Sequence, residues 1–253
     1  MSVSVPVLLY HSVNDRPGSV ERPYAVSRSD FAAHAEAFSA SRRRAVTISS
    51  LAAALRGGLW PSARALAITF DDGYADTLPA VEALVDRGLS ATVYVTAGEI
   101  GGRNRLTASQ LAQLASIPGI EIGAHAVRHR RLDELDQREL VEEVTASKAL
   151  LEEVTGKAIR SFSYPHGAYD WRVRRAVVAA GYHSAAAVKN ALSHDRDDPF
   201  AIARWTVTRG TSASRVAAVI EGDGVPRAWT HERLRTRVSR VARRSRRRLG
   251  WAT

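Results

Sequence analysis

Leu66-Ala67-Ile68-Thr69-Phe70-Asp71-Asp72-Gly73 is the stretch on which the reading of this chain turns. A short apolar run with the look of a buried strand passes directly into two carboxylates and a glycine. Adjacent carboxylates at a strand's end repel each other and lose hydration, so such a pair calls for a cation or a shared proton. An Asp-rich turn capping the next helix is the plainer alternative, and this stretch alone leaves both open.

Working outward, similar apolar runs recur at Val5–Tyr10, Ala91–Thr96, Gly119–Ala124, Ile159–Ser163, His183–Val188 and Trp205–Thr208. Helix-length amphipathic segments separate them: Asp30–Ala40, Ser49–Arg56, Ala75–Arg87, Thr107–Ser116, Leu135–Thr155, Asp170–Ala180 and Ser212–Ile220. Glycines at 88, 156 and 181 stand where helices end. This alternation predicts an α/β protein with a parallel sheet, and the number of units favours a β/α barrel over an open sheet. In either architecture chemistry gathers where strands give way to loops.

Three more strand ends carry reactive side chains. After Ala124 come His125 and His129, a spacing that predicts two imidazoles on one face of a helical turn, suited to a divalent metal. A solvated basic loop is the alternative. No Glu follows His125 directly, so the metalloprotease pattern is absent. Beyond Ile159 the chain reads Ser161-Phe162-Ser163-Tyr164-Pro165-His166-Gly167, either an ordinary turn or a rigid loop able to aim a backbone N–H at a developing oxyanion. The first strand ends at Tyr10-His11. One carboxylate and two imidazoles on neighbouring strand ends make an open metal site.

Composition narrows the chemistry. The 253 residues include no cysteine, which excludes disulfides, thiolate metal sites and a cysteine nucleophile. The net charge of +10 is uneven: residues 225–253 hold ten Arg and one Glu, whereas residues 1–224 carry 26 basic and 25 acidic side chains. A near-neutral body, 1–224, thus precedes an Arg-rich tail, 225–253. In the tail Leu234, Val238, Val241, Leu249 and Trp251 recur among the arginines, as expected of an interfacial helix on an anionic membrane, or else of a solvated, disordered tail. Nucleic acid is set aside as a partner. Neither a signal peptide nor a membrane-spanning run is recognisable, so a cytoplasmic location, peripheral at the membrane, is the expectation.

The motifs Thr69-Phe70-Asp71-Asp72-Gly73, His125-x-x-x-His129 and Phe162-Ser163-Tyr164-Pro165-His166-Gly167, with Tyr10-His11-Ser12-Val13, resemble in order and separation those of the NodB-homology polysaccharide deacetylases, carbohydrate esterase family 4. The resemblance spans roughly residues 3–220 and leans toward the branch of the poly-N-acetylglucosamine deacetylases. It implies a distorted (β/α)7-type barrel that hydrolyses N-acetyl groups of an N-acetylated glycan or glycan precursor. It also implies Asp72, His125 and His129 as ligands of a divalent metal, usually zinc with cobalt or nickel as substitutes. Asp71 would be the general base, His11 the general acid, and the Tyr164-Pro165-His166 loop the oxyanion and substrate loop.

Two departures stand out: Ala126 replaces a hydroxyl residue, and Ser163 replaces an Arg that in many members contacts the base. They keep open a non-catalytic glycan- or polyanion-binding protein on the same scaffold. Hydrolysis of a non-sugar amide or imide is the other alternative. Arg204 and Trp205, at the start of the last predicted strand, are candidates for the substrate groove. His194 with Asp195, Asp197 and Asp198 reads as a solvated loop, and His34 as a helix-surface or core residue.

Overall fold

In the computed structural model, which describes residues 4–58 and 64–229, seven parallel strands close into a barrel. They are β1 (Val7–Tyr10), β2 (Ala65–Phe70), β3 (Ala91–Val95), β4 (Ile120–Ala124), β5 (Ser161–Ser163), β6 (Ser184–Val188) and β7 (Ile202–Thr206). Closure is made by β1, which pairs with β2 through Val7↔Ala67 to Tyr10↔Phe70 and with β7 through Trp205↔Leu8 and Thr206↔Leu9. All strand ends that carry chemistry therefore open at one mouth.

Helices α1 (Arg28–Ala40), α2 (Ile48–Arg56), α3 (Thr77–Val85), α4 (Ala108–Ser116), α5 (Gln137–Thr155), α6 (Trp171–Ala179) and α7 (Ala213–Glu221) accompany the strands. Their starts are written in the sequence. Thr107 with Gln110 and Asp136 with Glu139 form capping boxes, and Asp170 accepts from the Val173 amide, so the first free N–H groups of α4, α5 and α6 are satisfied. Gly156, left-handed at φ 64°, stops α5.

Alternation along each strand sorts side chains inside and out. Leu66, Ile68 and Phe70 face the helices, while Ala65 and Ala67 point into the barrel with Val7, Tyr94, Ala186 and Ile202. Ile48, Leu51 and Ala52 of α2 join that inner cluster and plug the lower end. A Cβ at Gly123 would lie 2.5 Å from the Tyr94 ring, so only glycine admits the tyrosine to the interior. The parity that turns Ala65 and Ala67 inward also turns Thr69 and Asp71 inward.

Several expectations are corrected. The last strand begins at Ile202, not Trp205, because Arg204 is an inward-facing strand residue with no exposed surface. His194 and Asp197 are buried: the His194 ring nitrogen Nε2 donates to the Ala228 carbonyl at 2.9 Å, Asp197 accepts from the Ser193 hydroxyl at 2.7 Å, and Asp198 pairs with Arg174. This is a packed turn and not a solvated loop. Of the two expectations for His34, helix surface or core, the second holds: it is buried between the Tyr10 hydroxyl (3.1 Å) and the Thr211 carbonyl (3.0 Å). Of the segment 225–253, the described part runs beside Leu192, with Val225 and Ala228 buried. The tail helix expected around Leu234, Val238, Val241, Leu249 and Trp251 lies outside the described residues. Among the described residues no helix is long and apolar enough to cross a membrane.

Candidate active site

Asp71 and Asp72 leave the end of β2 in opposite directions. Asp71 continues the strand's inward parity, whereas Asp72 adopts a left-handed backbone, φ 74°, that turns its carboxylate toward the mouth. Gly73 is left-handed as well, with space for a Cβ closed by Val95 at 3.0 Å, so the Asp-Asp-Gly turn depends on its glycine.

Asp71 is almost fully buried. Arg204 reaches it from β7 with both terminal nitrogens, Nη1 to Oδ1 at 2.6 Å and Nη2 to Oδ2 at 2.8 Å. The same guanidinium donates to the Thr69 hydroxyl (3.2 Å) and the Ser163 hydroxyl (2.7 Å), and it lies 5.4 Å from the Tyr94 ring centre. Burial by itself would raise the Asp71 pKa. The charge of Arg204, then that of His125 and the Arg204 hydrogen bond, outweigh it and hold the carboxyl below its ordinary value. Ser163, standing where many members of the resembled family have an Arg, thus accompanies a cation delivered from a different strand. Arg204 does not line the substrate groove: it is an internal counter-ion beneath it.

Sequence reasoning named Arg204 but missed its role. A usable signal was present: with Ile202 inward, Arg204 is inward too, and an arginine inside a barrel requires a carboxylate that parity supplies at Asp71.

Asp72 faces the two imidazoles, its Oδ1 3.4 Å from His125 Nε2 and 3.3 Å from His129 Nε2. The expected helical turn is absent. His125 leaves β4, Ala126 (φ 60°) and His129 (φ 51°) are left-handed, and the loop folds back so that the rings sit 4.9 Å apart. His125 Nδ1 donates to the Ser163 carbonyl at 2.8 Å, so in the neutral ring Nε2, the nitrogen that faces Asp72, carries the lone pair. Burial opposes ionisation of Asp72, but His125, through its contact and its charge, and the charges of His11 and His129 hold its pKa well below the usual range. Burial also lowers His125, yet Asp71 and Asp72 outweigh it and raise its pKa; His129 is pushed down to about 3 by burial and by the neighbouring His125 charge.

These residues fit a metal. The Asp72 Oδ1 atom is buried without a hydrogen-bond partner while both imidazole nitrogens point at it. Donor atoms of Asp72, His125 and His129 all lie within 4.8 Å of one another, and among the described residues this is the one group of such side chains so arranged. One carboxylate and two imidazoles suit a divalent ion of borderline softness.

The remaining predicted residues surround the same cavity, about 670 Å³ in volume. His11, half-buried, has its ring tilted against that of Tyr24 with centroids 4.9 Å apart, and its buried Nδ1 is without a partner. Burial lowers its pKa, partly offset by Asp71 and Asp72. Tyr164 is buried, stacked on Tyr169 at 4.4 Å with its hydroxyl donating to the Phe200 carbonyl (2.9 Å). Pro165 follows it, and His166, left-handed at φ 57°, brings its ring 4.4 Å from His129 and its Nε2 3.1 Å from the His129 carbonyl. Trp205 lines the wall with Tyr24 and Val188. A smaller cavity, about 430 Å³, lies at the barrel's opposite end around Glu121, whose half-buried carboxylate is already bonded to Ser49 and Thr92.

Known proteins resemble this chain in sequence and in fold. Residues 60–185 match the sequence profile of the family described as Polysaccharide deacetylase, a span that holds Asp71, Asp72, His125, His129 and the 164–166 loop. The chain is 28% identical over 218 residues to the protein named "Putative polysaccharide deacetylase YxkH" of Bacillus subtilis (strain 168), covering 86% of this chain and 76% of that one. Among solved structures, the Streptococcus pyogenes deacetylase PplD in complex with acetate superposes with a TM-score of 0.79 at 18% identity, covering 87% of this chain and 99% of the other. IcaB from Ammonifex degensii superposes with a TM-score of 0.73 at 23% identity, over 87% and 97% of the two chains. With the closed seven-stranded barrel and the Asp-His-His group at its mouth, these matches lead to one conclusion: the chain carries a polysaccharide deacetylase domain, matched over residues 60–185.

Proposed function

We infer that the chain is a metal-dependent de-N-acetylase that releases acetate from an N-acetylated glycan of the N-acetylglucosamine type. One observation carries this reading: a buried carboxylate, Asp71, kept ionised by Arg204 beside a metal-fitting Asp72–His125–His129 group on the floor of one open cavity. An ionised buried base next to a Lewis-acid site is what hydrolysis of an unactivated amide requires.

A divalent ion, with zinc preferred over cobalt or nickel, would be held by Asp72, His125 and His129 and would supply carbonyl polarisation and a lowered water pKa. Asp71 takes the proton of the attacking water at Oδ2, the oxygen 3.8 Å from His125 Nε2. Arg204 keeps that carboxylate oriented and ionised until it does so. The His166 backbone N–H is offered to the carbonyl oxygen as negative charge develops; one such donor is worth about 2.7–4 kcal/mol. His11 gives a proton to the departing amine nitrogen. Because burial lowers its pKa, its imidazolium is the minor form at neutral pH and grows as pH falls. Trp205 and Tyr24 offer apolar faces to the sugar ring.

The Arg204 counter-ion supports a catalytic reading over a non-catalytic scaffold in spite of Ser163, since the base does not lack a cation. Acetate release from N-acetylglucosamine oligomers, measured against release from a cyclic imide, tests the assignment: turnover of the imide alone would overturn the sugar reading. The Arg-rich segment 225–253 is proposed to hold the enzyme at an anionic membrane surface. Sedimentation with anionic liposomes, comparing the full chain with one ending at Trp229, tests that; equal binding would refute it.

A further inference from the structure

The geometry points to Glu143 as the positioning residue that sets the bite of the His125–His129 pair, an inference that rests on the metal-binding reading above. Glu143 projects from α5, the helix that follows this loop, and its side chain has no exposed surface. A buried carboxylate must find donors, and those Glu143 finds lie in the turn between the two histidines. Its Oε2 accepts from the Val127 amide at 2.8 Å and from the Arg128 amide at 2.9 Å, while Oε1 accepts from Arg128 Nη1 at 3.2 Å.

The opposite side of the turn is held as well. The Ala97 and Gly98 amides donate to the Ala126 and Val127 carbonyls, each at 3.0 Å, and a Cβ at Gly98 would come within 2.7 Å of the Val127 oxygen. Residues 126–128 are therefore clamped from two directions between left-handed Ala126 and left-handed His129. Ala126 has no hydroxyl with which to brace this turn; Glu143 bonds the two amides that follow it. Two imidazoles reached through a loop, not a helix, have no fixed spacing of their own, so the clamp determines how far apart His125 Nε2 and His129 Nε2 stand.

Oxygen Oε2 serves both amides alone, which separates two substitutions. In Glu143→Gln the carboxamide oxygen can still accept both, whereas Glu143→Met removes the acceptor. Zinc affinity is measured on metal-stripped protein by competition with a chromophoric chelator, with thermal stability of the same metal-free samples recorded in parallel. The clamp predicts that Glu143→Met binds zinc about 10–100-fold more weakly, the range found when partners of metal ligands are removed, and that Glu143→Gln recovers most of the loss. A purely structural role would lower stability and leave the affinity of the folded protein unchanged. Folded Glu143→Met binding zinc as tightly as wild type overturns the clamp alone; wild type binding no zinc overturns the metal reading and this role with it. Should Glu143→Met not fold, hydrogen exchange of the metal-free wild type decides: Val127 and Arg128 amides protected like those of β4 support the clamp, and unprotected amides overturn it.

Discussion

Replacing Arg204 with Met removes the guanidinium that binds both oxygens of the Asp71 carboxylate while leaving an apolar side chain of similar length in the barrel. Asp71 is then a buried carboxylate that keeps the more distant charge of His125, 3.8 Å away, so burial pushes its pKa up from the wild-type value. Loss of an opposite charge at hydrogen-bond distance shifts a carboxyl by about 1–3 units, equivalent to about 1.4–4 kcal/mol between its two protonation states. Breaking a buried pair from one side costs about 3–5 kcal/mol of stability, which for a chain of this size lowers Tm by roughly 6–20 °C. The sign with pH follows from the direction of the shift. In the wild type the depressed Asp71 pKa contributes stability above the unfolded carboxyl value, lost as pH falls through the folded one. In Arg204→Met the raised pKa penalises the ionised form, so the variant's deficit is largest at neutral pH and shrinks on acidification. Carbon-13 NMR titration of the Asp71 carboxyl carbon in both proteins reads the shift directly. An Asp71 that titrates at the same pH in Arg204→Met as in wild type would refute the assignment of Arg204 as its counter-ion.

Further consequences can be measured separately. If His11 protonates the leaving amine, His11→Ala should cost about 100-fold or more in kcat on an acetamide but far less on an aryl acetate, whose leaving group needs no proton; equal losses would argue for a binding role. Metal binding should release about one proton at mildly acidic pH, because His125 titrates above its ordinary value whereas His129, at about 3, is already neutral; calorimetry in buffers of different ionisation enthalpy counts it, and two protons would contradict the electrostatics. Gly123→Ala drives a methyl into the Tyr94 ring and should cost about 1–3 kcal/mol of stability by denaturant unfolding, with no change if the ring can move aside.

Much of the barrel is legible in the amino-acid sequence, because strands buried on both sides read as apolar runs and the helices carry their own caps. Boundaries of α1 and α2 fall within two residues of the sequence reading, and Ser27 and Thr47 cap their starts. The last strand is misplaced by three residues because Arg204 interrupts an apolar run, and a charge inside a strand looks like an edge until its partner is known. That partner lies 133 positions away, a pairing no local pattern encodes. The His125 and His129 pair is right in composition and wrong in geometry: the spacing suggests a helix, whereas Ala126 at positive φ makes a loop that sequence alone gives no reason to expect. His194 and Asp197 look solvated because they are polar, yet Ser193 and the Ala228 carbonyl satisfy them below the surface.

The central claim joins two properties in one site, a metal held by Asp72, His125 and His129 and a base at Asp71. Parallel determination of bound zinc and of acetate released from N-acetylglucosamine oligomers, on wild type and Asp71→Asn, tests both at once. The account predicts one zinc per chain in each protein, with acetate release by Asp71→Asn reduced by about 100-fold or more. Asp71→Asn releasing acetate at the wild-type rate, or wild type turning over fully without bound metal, would contradict it.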